Sequence, residues 1–413
     1  MMRMKEKITH NRDWRFILFG AFVFLLPFWR RIEFTTPYSY LDGRFIDYLT
    51  YSVYVFDIVF GAVLLLWIVD IVRNRTRVLL GDKRILAAYG AVFFSGVISL
   101  FFAESIAIGA YYLLVFAGLF LVYLFIVNSV RTTKRLNTLP HIFVVAMSVQ
   151  SIIAIAQFIK NSSIGLFILG EQIVSPVLPG VAKIGVEAGN HIRAYGTFSH
   201  PNVLALFLVI GGLMALALLL QSRAKAQRTY LACTLVLLSI GLILTFSRIA
   251  WVVALVAWGG LGISNLKPAC RTGRSQISNL GRQVQKNKRT ILIASISIVI
   301  VAVYLFPLIW ARINPAIPAT WESFQVRSMV IEKSISIIGQ HPLGIGIGNF
   351  VIEIAYALTG YPVWMAEPVH NTFLLITSEI GIFGLVAFLL FLYFVWRVAV
   401  GGPRLFMYSF VAI

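Results

Sequence analysis

The sequence is poor in charged residues. Charged side chains make up 12% of its 413 residues and hydrophobic ones 59%, whereas soluble domains carry roughly 25% charged residues. The mean hydropathy is +0.86. This balance excludes an ordinary soluble domain and predicts an all-α, polytopic membrane protein whose length divides into helix-plus-loop units.

Cysteine and metal-ligand clusters are also scarce. The two cysteines are Cys233, in an apolar run, and Cys270, in a basic loop. Neither has a plausible partner, so we expect no disulfide and no cysteine-based metal site. His, Asp and Glu show no metal-ligand spacing, although Glu367 lies three residues before His370. We therefore expect neither a metal nor another cofactor.

Acidic residues are outnumbered, 16 to 35, which gives a net charge of +19. Such a charge suggests nucleic acid, but 25 of the 35 basic residues fall in alternate loops on one side of the predicted spans. By the positive-inside rule that side is cytoplasmic and the N-terminus is inside. The basic loop 265–289 fits a topogenic loop on anionic headgroups, and we expect no nucleic-acid partner.

Apolar runs long enough to cross a bilayer predict ten spans and the start of an eleventh, within a bundle of about 11–12 spans. The residues Pro27 to Arg31 replace a small-residue cleavage site, so the first run is predicted to be a retained helix. The last run begins near 405, and we expect the chain to be truncated inside it. The ten runs lie at 14–29, 50–72, 85–103, 106–128, 139–159, 198–220, 229–246, 249–264, 290–310 and 371–396.

Two long segments lie on the predicted extracytoplasmic side, at 160–197 and 311–370. Loops of this length are usually functional. Helical spacing of Trp321, Phe324 and Ile331 predicts an amphipathic helix in the second, with Thr320 as its N-cap and Gly339 at its end.

Polar residues cluster in three places on this side. The first cluster runs from His191 to Asn202 and contains Arg193 and His200; the second is Thr245-Phe246-Ser247-Arg248; the third includes Arg327, His341 and His370-Asn371. Each has an ordinary alternative, because arginines near helix ends snorkel to headgroups and histidines occur at interfaces.

Two further features are less specific. The glycines at 344, 346 and 348 lack the context of a nucleotide site, and they favour a turn where backbone approaches a ligand closely. Glu379 shares the His370 helix and is predicted to reach the same cavity.

The three clusters together resemble the O-antigen ligase/polymerase superfamily. The matching motifs are Arg193 to Phe198 with His200-Pro201-Asn202, Thr245 to Arg248, and His341 to Gly346 with His370-Asn371, whose spacing to Gly381 and Gly384 also fits. The resemblance covers residues 193–384. It implies a ligase-like membrane domain at 193–413, including loop 311–370, preceded by membrane helices and an outer loop at 1–192.

The resemblance also implies an activity. Members take a glycan from undecaprenyl diphosphate, without metal, and pass it to a glycan, lipid A core or protein acceptor at the extracytoplasmic face of the bacterial inner membrane. Arg193, Arg248 and Arg327 would bind the donor diphosphate and His370 would be catalytic. Supporting positions would be His200, Asn202, Ser247, His341, Asn371 and Glu379.

Elementary chemistry supports these roles. Guanidinium groups match phosphate oxygens and stay charged, and a histidine takes the acceptor proton as an inverting displacement proceeds. Two alternatives stay open: a flippase or other transporter of lipid-linked glycans, and a protein O-oligosaccharyltransferase. The sequence does not separate ligase from polymerase.

Overall fold

The protein is a helical bundle with small extramembrane hairpins. The computed structural model describes residues 14–130, 132–186, 189–222, 224–264, 303–313, 318–357, 362 and 365–401, together with 292, 296 and 299–301. Its helices are α1 (Trp14–Leu25), α2 (Val55–Asn74), α3 (Lys83–Ser99), α4 (Ile106–Ser129), α5 (Thr133–Lys160), α6 (Pro201–Gln221), α7 (Lys225–Leu244), α8 (Arg248–Ser264), α9 (Phe306–Ile313), α10 (Pro318–Gln340), α11 (Phe350–Ala357) and α12 (Thr372–Gly401).

Among the described residues, seven helices are long and apolar enough to cross a membrane: α2 to α7 and α12. Two shorter apolar helices, α1 and the part of α8 from Arg248 to Leu261, join them. The prediction of an all-α polytopic membrane protein is confirmed. The predicted spans at 290–310 and beyond 405, and the basic loop 265–289, lie largely or wholly outside the described residues.

Within the described part of the chain, the strands form three antiparallel two-stranded pairs. Four lie between α1 and α2: β1 (Arg31–Phe34) pairs with β4 (Tyr51–Tyr54), and β2 (Tyr40–Leu41) with β3 (Arg44–Phe45). We call residues 31–54 the outer hairpin. The fifth and sixth strands, β5 (Lys183–Val186) and β6 (Gly189–Ile192), place the end of β6 directly before Arg193.

The largest buried core surrounds α6, which packs against α5, α7 and α8. A second core joins α1, α2 and α4, and α12 packs against α3 and α10. Three helix ends lie close together at one end of the bundle. Arg193 bonds Asn202 at the start of α6 and Thr245 at the end of α7, just before α8 begins. At the opposite end, Arg15 of α1 bonds Asp70 of α2.

That arrangement agrees with the alternation of basic loops, since the starts of α6 and α8 lie at one end and the basic start of α1 at the other. Which end faces the cytoplasm stays a prediction.

One sequence prediction needs correction, and one feature of α12 was not predicted. Helix α10 begins at Pro318, so Thr320 lies inside it and the prediction of an N-cap there is wrong, although the helix ends at Gln340, one residue beyond Gly339. Helix α12 is kinked rather than continuous, because Gly381 adopts φ 76° and ψ 179°. That kink brings the backbone of α12 against the glycine-rich turn at 344–348.

Candidate functional site

Arg193 joins two of the motifs that the sequence singles out. It follows β6 and is 3% exposed. Its Nε donates to the carbonyl oxygen of Thr245 at 2.6 Å, and its Nη2 donates to Oδ1 of Asn202 at 2.6 Å. The backbone N–H of Ala194 also donates to the carbonyl of Leu244 at 2.9 Å. The loop before α6 is therefore fixed to the turn between α7 and α8.

Two buried glutamines of α5 hold the same loop from the other side. Oε1 of Gln157 accepts hydrogen bonds from the backbone N–H groups of Tyr195 and Gly196 at 3.1 and 2.8 Å. Oε1 of Gln150 accepts from the N–H of Thr197 at 3.0 Å. Gly196 has φ +61°, and a Cβ there would lie 2.5 Å from Gln150 Oε1. Such satisfied polar contacts fix the loop that carries Arg193.

Three more arginines approach Arg193 from separate helices. Arg248 begins α8, Arg312 lies in α9, and Arg327 lies in α10. Nε of Arg312 donates to the carbonyl of Phe246 at 3.3 Å. Phe246 has a positive φ of 48°, uncommon for a residue with a side chain, and it turns that carbonyl toward α9. We call Arg193, Arg248, Arg312 and Arg327 the arginine cluster.

The charges of the arginine cluster repel one another. Burial, followed by the charge of Arg312, lowers the pKa of Arg193 to about 9. Burial, followed by the charges of Arg248 and Arg327, lowers the pKa of Arg312 to about 10. Burial also lowers the pKa of Arg327, as does Arg248, whereas Glu367 acts in the opposite sense. Arg193 and Arg312 remain charged at neutral pH.

Few of the described groups compensate these charges. Among the described residues, the side chains of Arg248 and Arg327 make no hydrogen bond, and the carboxylate that opposes Arg327 belongs to Glu367. Buried or half-buried charges normally have partners. Four cations that repel one another beside a single described carboxylate are suited to an anion, and guanidinium groups suit phosphate oxygens in particular.

A histidine pair borders the arginine cluster. The ring centroids of His200 and His370 lie 6.5 Å apart. Nδ1 of His200 accepts the backbone N–H of Asn202 at 3.1 Å, which places the ring's proton on Nε2. Burial, followed by the charge of Arg193, lowers the pKa of His200 to about 3. His200 is therefore a neutral hydrogen-bond donor at physiological pH.

His370 lies just before α12 and has a different environment. Its side chain is 45% exposed, and its Nε2 lies 3.2 Å from Oε2 of Glu367. The next residue, Asn371, accepts hydrogen bonds from the N–H groups of Phe373 and Leu374 at 3.0 and 3.2 Å, so it caps α12. Helix capping thus fixes the backbone beside His370.

The other predicted site residues form hydrogen bonds within the protein rather than contacts with the arginine cluster. Ser247 is buried, and its N–H donates to Oγ1 of Thr245 at 3.4 Å. His341 is exposed at the end of α10, where its carbonyl accepts the N–H of Gly344 at 2.9 Å. Oε1 of Glu379 accepts the N–H of Phe350 at 3.4 Å, so this carboxyl group faces the glycine-rich turn.

The glycine-rich turn approaches its own chain closely. The N–H groups of Ile345 and Gly346 donate to the carbonyls of Ser378 and Glu379, and that of Ile382 to Pro342, each at 3.0 Å. We call residues 342–349 with 378–382 the glycine interlock. The sequence predicts that the backbone of this turn approaches a ligand closely. The group that lies against it among the described residues is the kinked backbone of α12, so the approach to a ligand stays a prediction.

Sequence reasoning missed Arg312, Gln150 and Gln157. Arg312 sits in the run Trp310-Ala311-Arg312-Ile313, and a lone arginine between apolar residues at the end of a predicted span was a usable signal. The two glutamines are seven residues apart, which places them on one face of α5. Polar pairs at that spacing in an apolar helix indicate an interior face.

Comparison with known proteins finds a family match for part of this chain. A family model described as O-antigen ligase matches residues 233–389. The matched region contains Arg248, Arg312, Arg327, His341 and His370, while Arg193 and His200 precede it. No curated protein matches the chain.

Proposed function

We propose that this chain, whose residues 233–389 match a family model described as O-antigen ligase, is a member of the O-antigen ligase/polymerase superfamily and a membrane glycosyltransferase. It transfers a glycan from a polyprenyl diphosphate carrier, such as undecaprenyl diphosphate, to an acceptor hydroxyl. The reaction takes place at the extracytoplasmic face of the bacterial inner membrane, with the N-terminus in the cytoplasm. The arginine cluster is the observation that carries this proposal.

The charge of the leaving group fits the cluster. A glycosyl diphosphate diester carries about two negative charges, and rupture of the bond to the anomeric carbon leaves about three on the polyprenyl diphosphate. Four arginines and Glu367 sum to a net charge of +3 beside a neutral His200. Charge that develops in the transition state is stabilised by fixed cations in a partly dry site. Arg312 joins Arg193, Arg248 and Arg327 in this role.

His370 is the proposed general base. It takes the proton of the acceptor hydroxyl while the acceptor oxygen bonds to the anomeric carbon and the diphosphate leaves with the electron pair of the broken bond. This direct displacement inverts the anomeric centre. His200 is unsuited to the same task, because its Nδ1 lone pair is occupied by the N–H of Asn202, and it instead donates from Nε2.

A reconstituted transfer assay tests the proposal. Purified protein in proteoliposomes receives a synthetic undecaprenyl diphosphate glycan and a hydroxyl acceptor, and the joined glycan and free undecaprenyl diphosphate are measured together. We expect equal amounts of both. Movement of intact donor across the bilayer without either product would instead identify a transporter and overturn the proposal.

Variants assign the donor site. Arg193→Lys should lower transfer about tenfold or more, because a point charge cannot replace the bidentate guanidinium fork at the donor diphosphate. Arg30→Lys is the matched control, since Arg30 is an exposed cation whose Nη1 donates to the carbonyl of Phe167. Equal rates for wild type and Arg193→Lys would remove Arg193 from the donor site.

The base assignment has its own test. His370→Gln should lower transfer by about 10²–10⁴-fold, the usual contribution of a general base, and should flatten the dependence of the rate on pH. His341→Gln should have the smaller effect, because His341 is exposed and directly follows the last residue of α10. If His370→Gln keeps a near-normal rate and pH profile while His341→Gln abolishes transfer, the assignment is wrong.

A further inference from the structure

We propose that Glu367 is the positioning residue of His370, and that the acceptor proton is taken by Nδ1 of His370 rather than by Nε2. This inference rests on the proposed function for its chemistry. Its structural basis is the contact between Nε2 of His370 and Oε2 of Glu367 at 3.2 Å.

The contact decides which nitrogen carries the proton. An ionised carboxylate accepts hydrogen bonds and donates none, so a neutral His370 gains from this 3.2 Å contact only in the tautomer that carries its proton on Nε2. In a neutral imidazole the other nitrogen then holds the free lone pair. Nδ1 of His370 makes no hydrogen bond with another described residue, so its lone pair is available to an acceptor hydroxyl.

The surroundings explain why a carboxylate is needed there. When His370 takes the proton it becomes an imidazolium close to a group of cations, and like charges within a few ångströms disfavour that form. Glu367 is the described carboxylate beside it, and the attraction of Glu367 offsets part of this repulsion. The same logic applies to the carboxylate that orients the histidine of a catalytic triad.

Titratable groups from several described elements lie near this pair. The charge of Glu367 partly offsets the lowering of the pKa of Arg327 in α10. The pKa of Tyr48 in the outer hairpin is raised by burial first and then by Glu367, and that of Tyr195 by burial first, with Glu367 a smaller cause. The pKa of His200 is lowered by burial first, and then by the charges of Arg193, His370, Arg327 and Arg312. These tyrosines stay neutral near pH 7, so Glu367 supplies the negative charge.

The proton transfer balances without a further reactant. The O–H bond of the acceptor breaks, its proton goes to Nδ1, and its oxygen forms the bond to the anomeric carbon. The bond from that carbon to the diphosphate oxygen breaks, and its electron pair leaves with the diphosphate. Glu367 keeps its charge throughout and holds Nε2–H.

The test compares Glu367→Gln and Glu367→Asp with wild type in the reconstituted assay. We expect Glu367→Gln to lower kcat about tenfold or more while KM for the acceptor changes little, because the side-chain shape is kept and the charge is lost. The acid limb of the rate profile should move to lower pH by about one unit, since an imidazolium without its carboxylate forms less readily. Glu367→Asp should restore part of the rate.

Glu332→Gln is the matched control. Glu332 is an exposed carboxylate of α10, and its loss removes the same charge away from His370. Its rate and pH profile should equal those of wild type. If Glu332→Gln and Glu367→Gln behave alike, the effect is one of overall charge and the inference is overturned.

A measurement without substrate separates this inference from the proposed function. Nitrogen NMR of ¹⁵N-histidine-labelled protein in detergent, with the His370→Gln variant for assignment, follows protonation of the His370 ring. We expect Nε2 to carry the proton in wild type and the protonation midpoint to fall in Glu367→Gln. An unchanged midpoint overturns the role of Glu367 whether or not the protein transfers glycan. A normal NMR result with no transfer overturns the proposed function instead.

Discussion

The arginine cluster and the glycine interlock both lie between residues 193 and 382, yet they differ in what their polar groups contact. In the glycine interlock, the N–H groups of Ile345, Gly346 and Ile382 all meet carbonyls of the chain at 3.0 Å. In the arginine cluster, the described charges repel one another and two guanidinium groups lack hydrogen bonds to described residues. Satisfied groups build the scaffold, and unsatisfied ones are left for a ligand.

The comparison predicts opposite responses to mutation. Changes in the interlock should cost stability first and activity as a consequence. Changes at Arg248 and Arg327, whose guanidinium groups have no hydrogen bond to a described residue, should cost activity while stability is kept or improved, as happens where function maintains an unfavourable arrangement.

The largest effect is expected for Gly344→Ala. Gly344 has φ +90°, and a Cβ there would lie 2.3 Å from the carbonyl oxygen of Glu379. Backbone strain of this kind costs about 1–3 kcal/mol, and displacement of α12 adds to it. We expect a large fall in Tm of the purified protein in detergent. Transfer should also be lost, because α12 begins two residues after His370 and its displacement moves this histidine.

Gly339→Ala is the control for that variant. Gly339 lies near the end of α10, where an added Cβ would meet nothing within 4 Å, and alanine is the better helix former by about 1 kcal/mol. Its Tm should equal or exceed that of wild type. A Gly344→Ala protein as stable as Gly339→Ala would show that the interlock does not support the fold.

A smaller effect of opposite sign is expected for Arg327→Gln. Removing this charge relieves repulsion by Arg248 and Arg312, so Tm should rise while transfer falls about tenfold or more. Inorganic pyrophosphate should raise the Tm of wild type by binding the folded state, and should raise that of Arg327→Gln less. Arg30→Gln, which removes an exposed cation, should keep the wild-type response. A fall in Tm for Arg327→Gln would contradict mutual repulsion.

The sequence predicted much of the fold because each span leaves a local signal. Apolar runs and basic loops located the helices, and the described structure has a helix in each run from α1 to α8 and at α12. The kink at Gly381 was missed, since its cause is a contact with Pro342, about forty residues earlier in the chain. The N-cap at Thr320 was misplaced because Pro318, favoured in a first turn, begins the helix.

The candidate site was predictable only where a polar or charged residue stands out against an apolar sequence context. Arg193, Arg248, His200, Asn202 and His370 stood out as polar residues near the ends of apolar runs, and Arg327 was selected by the family resemblance. The structure brings these six residues together. Arg312 was passed over because it lies at the edge of a predicted span. The contact between Glu367 and His370 was visible as a spacing of three residues, but its meaning depends on the arginines that face it, and no sequence pattern gives their positions.

The smallest effect is expected for His200→Asn and appears as pH dependence. Folding lowers the pKa of His200 to about 3, whereas an unfolded histidine titrates at about 6.5. Between these values the unfolded chain binds a proton that the folded chain does not, so stability falls as pH drops from about 6.5 toward about 3.

Asparagine is a good N-cap and accepts the N–H of Asn202 without titrating. The Tm of wild type should therefore fall more steeply than that of His200→Asn between about pH 7 and about pH 5. His341→Asn, the same change at an exposed position, should follow wild type, and parallel curves for wild type and His200→Asn would show that His200 does not titrate between the two states.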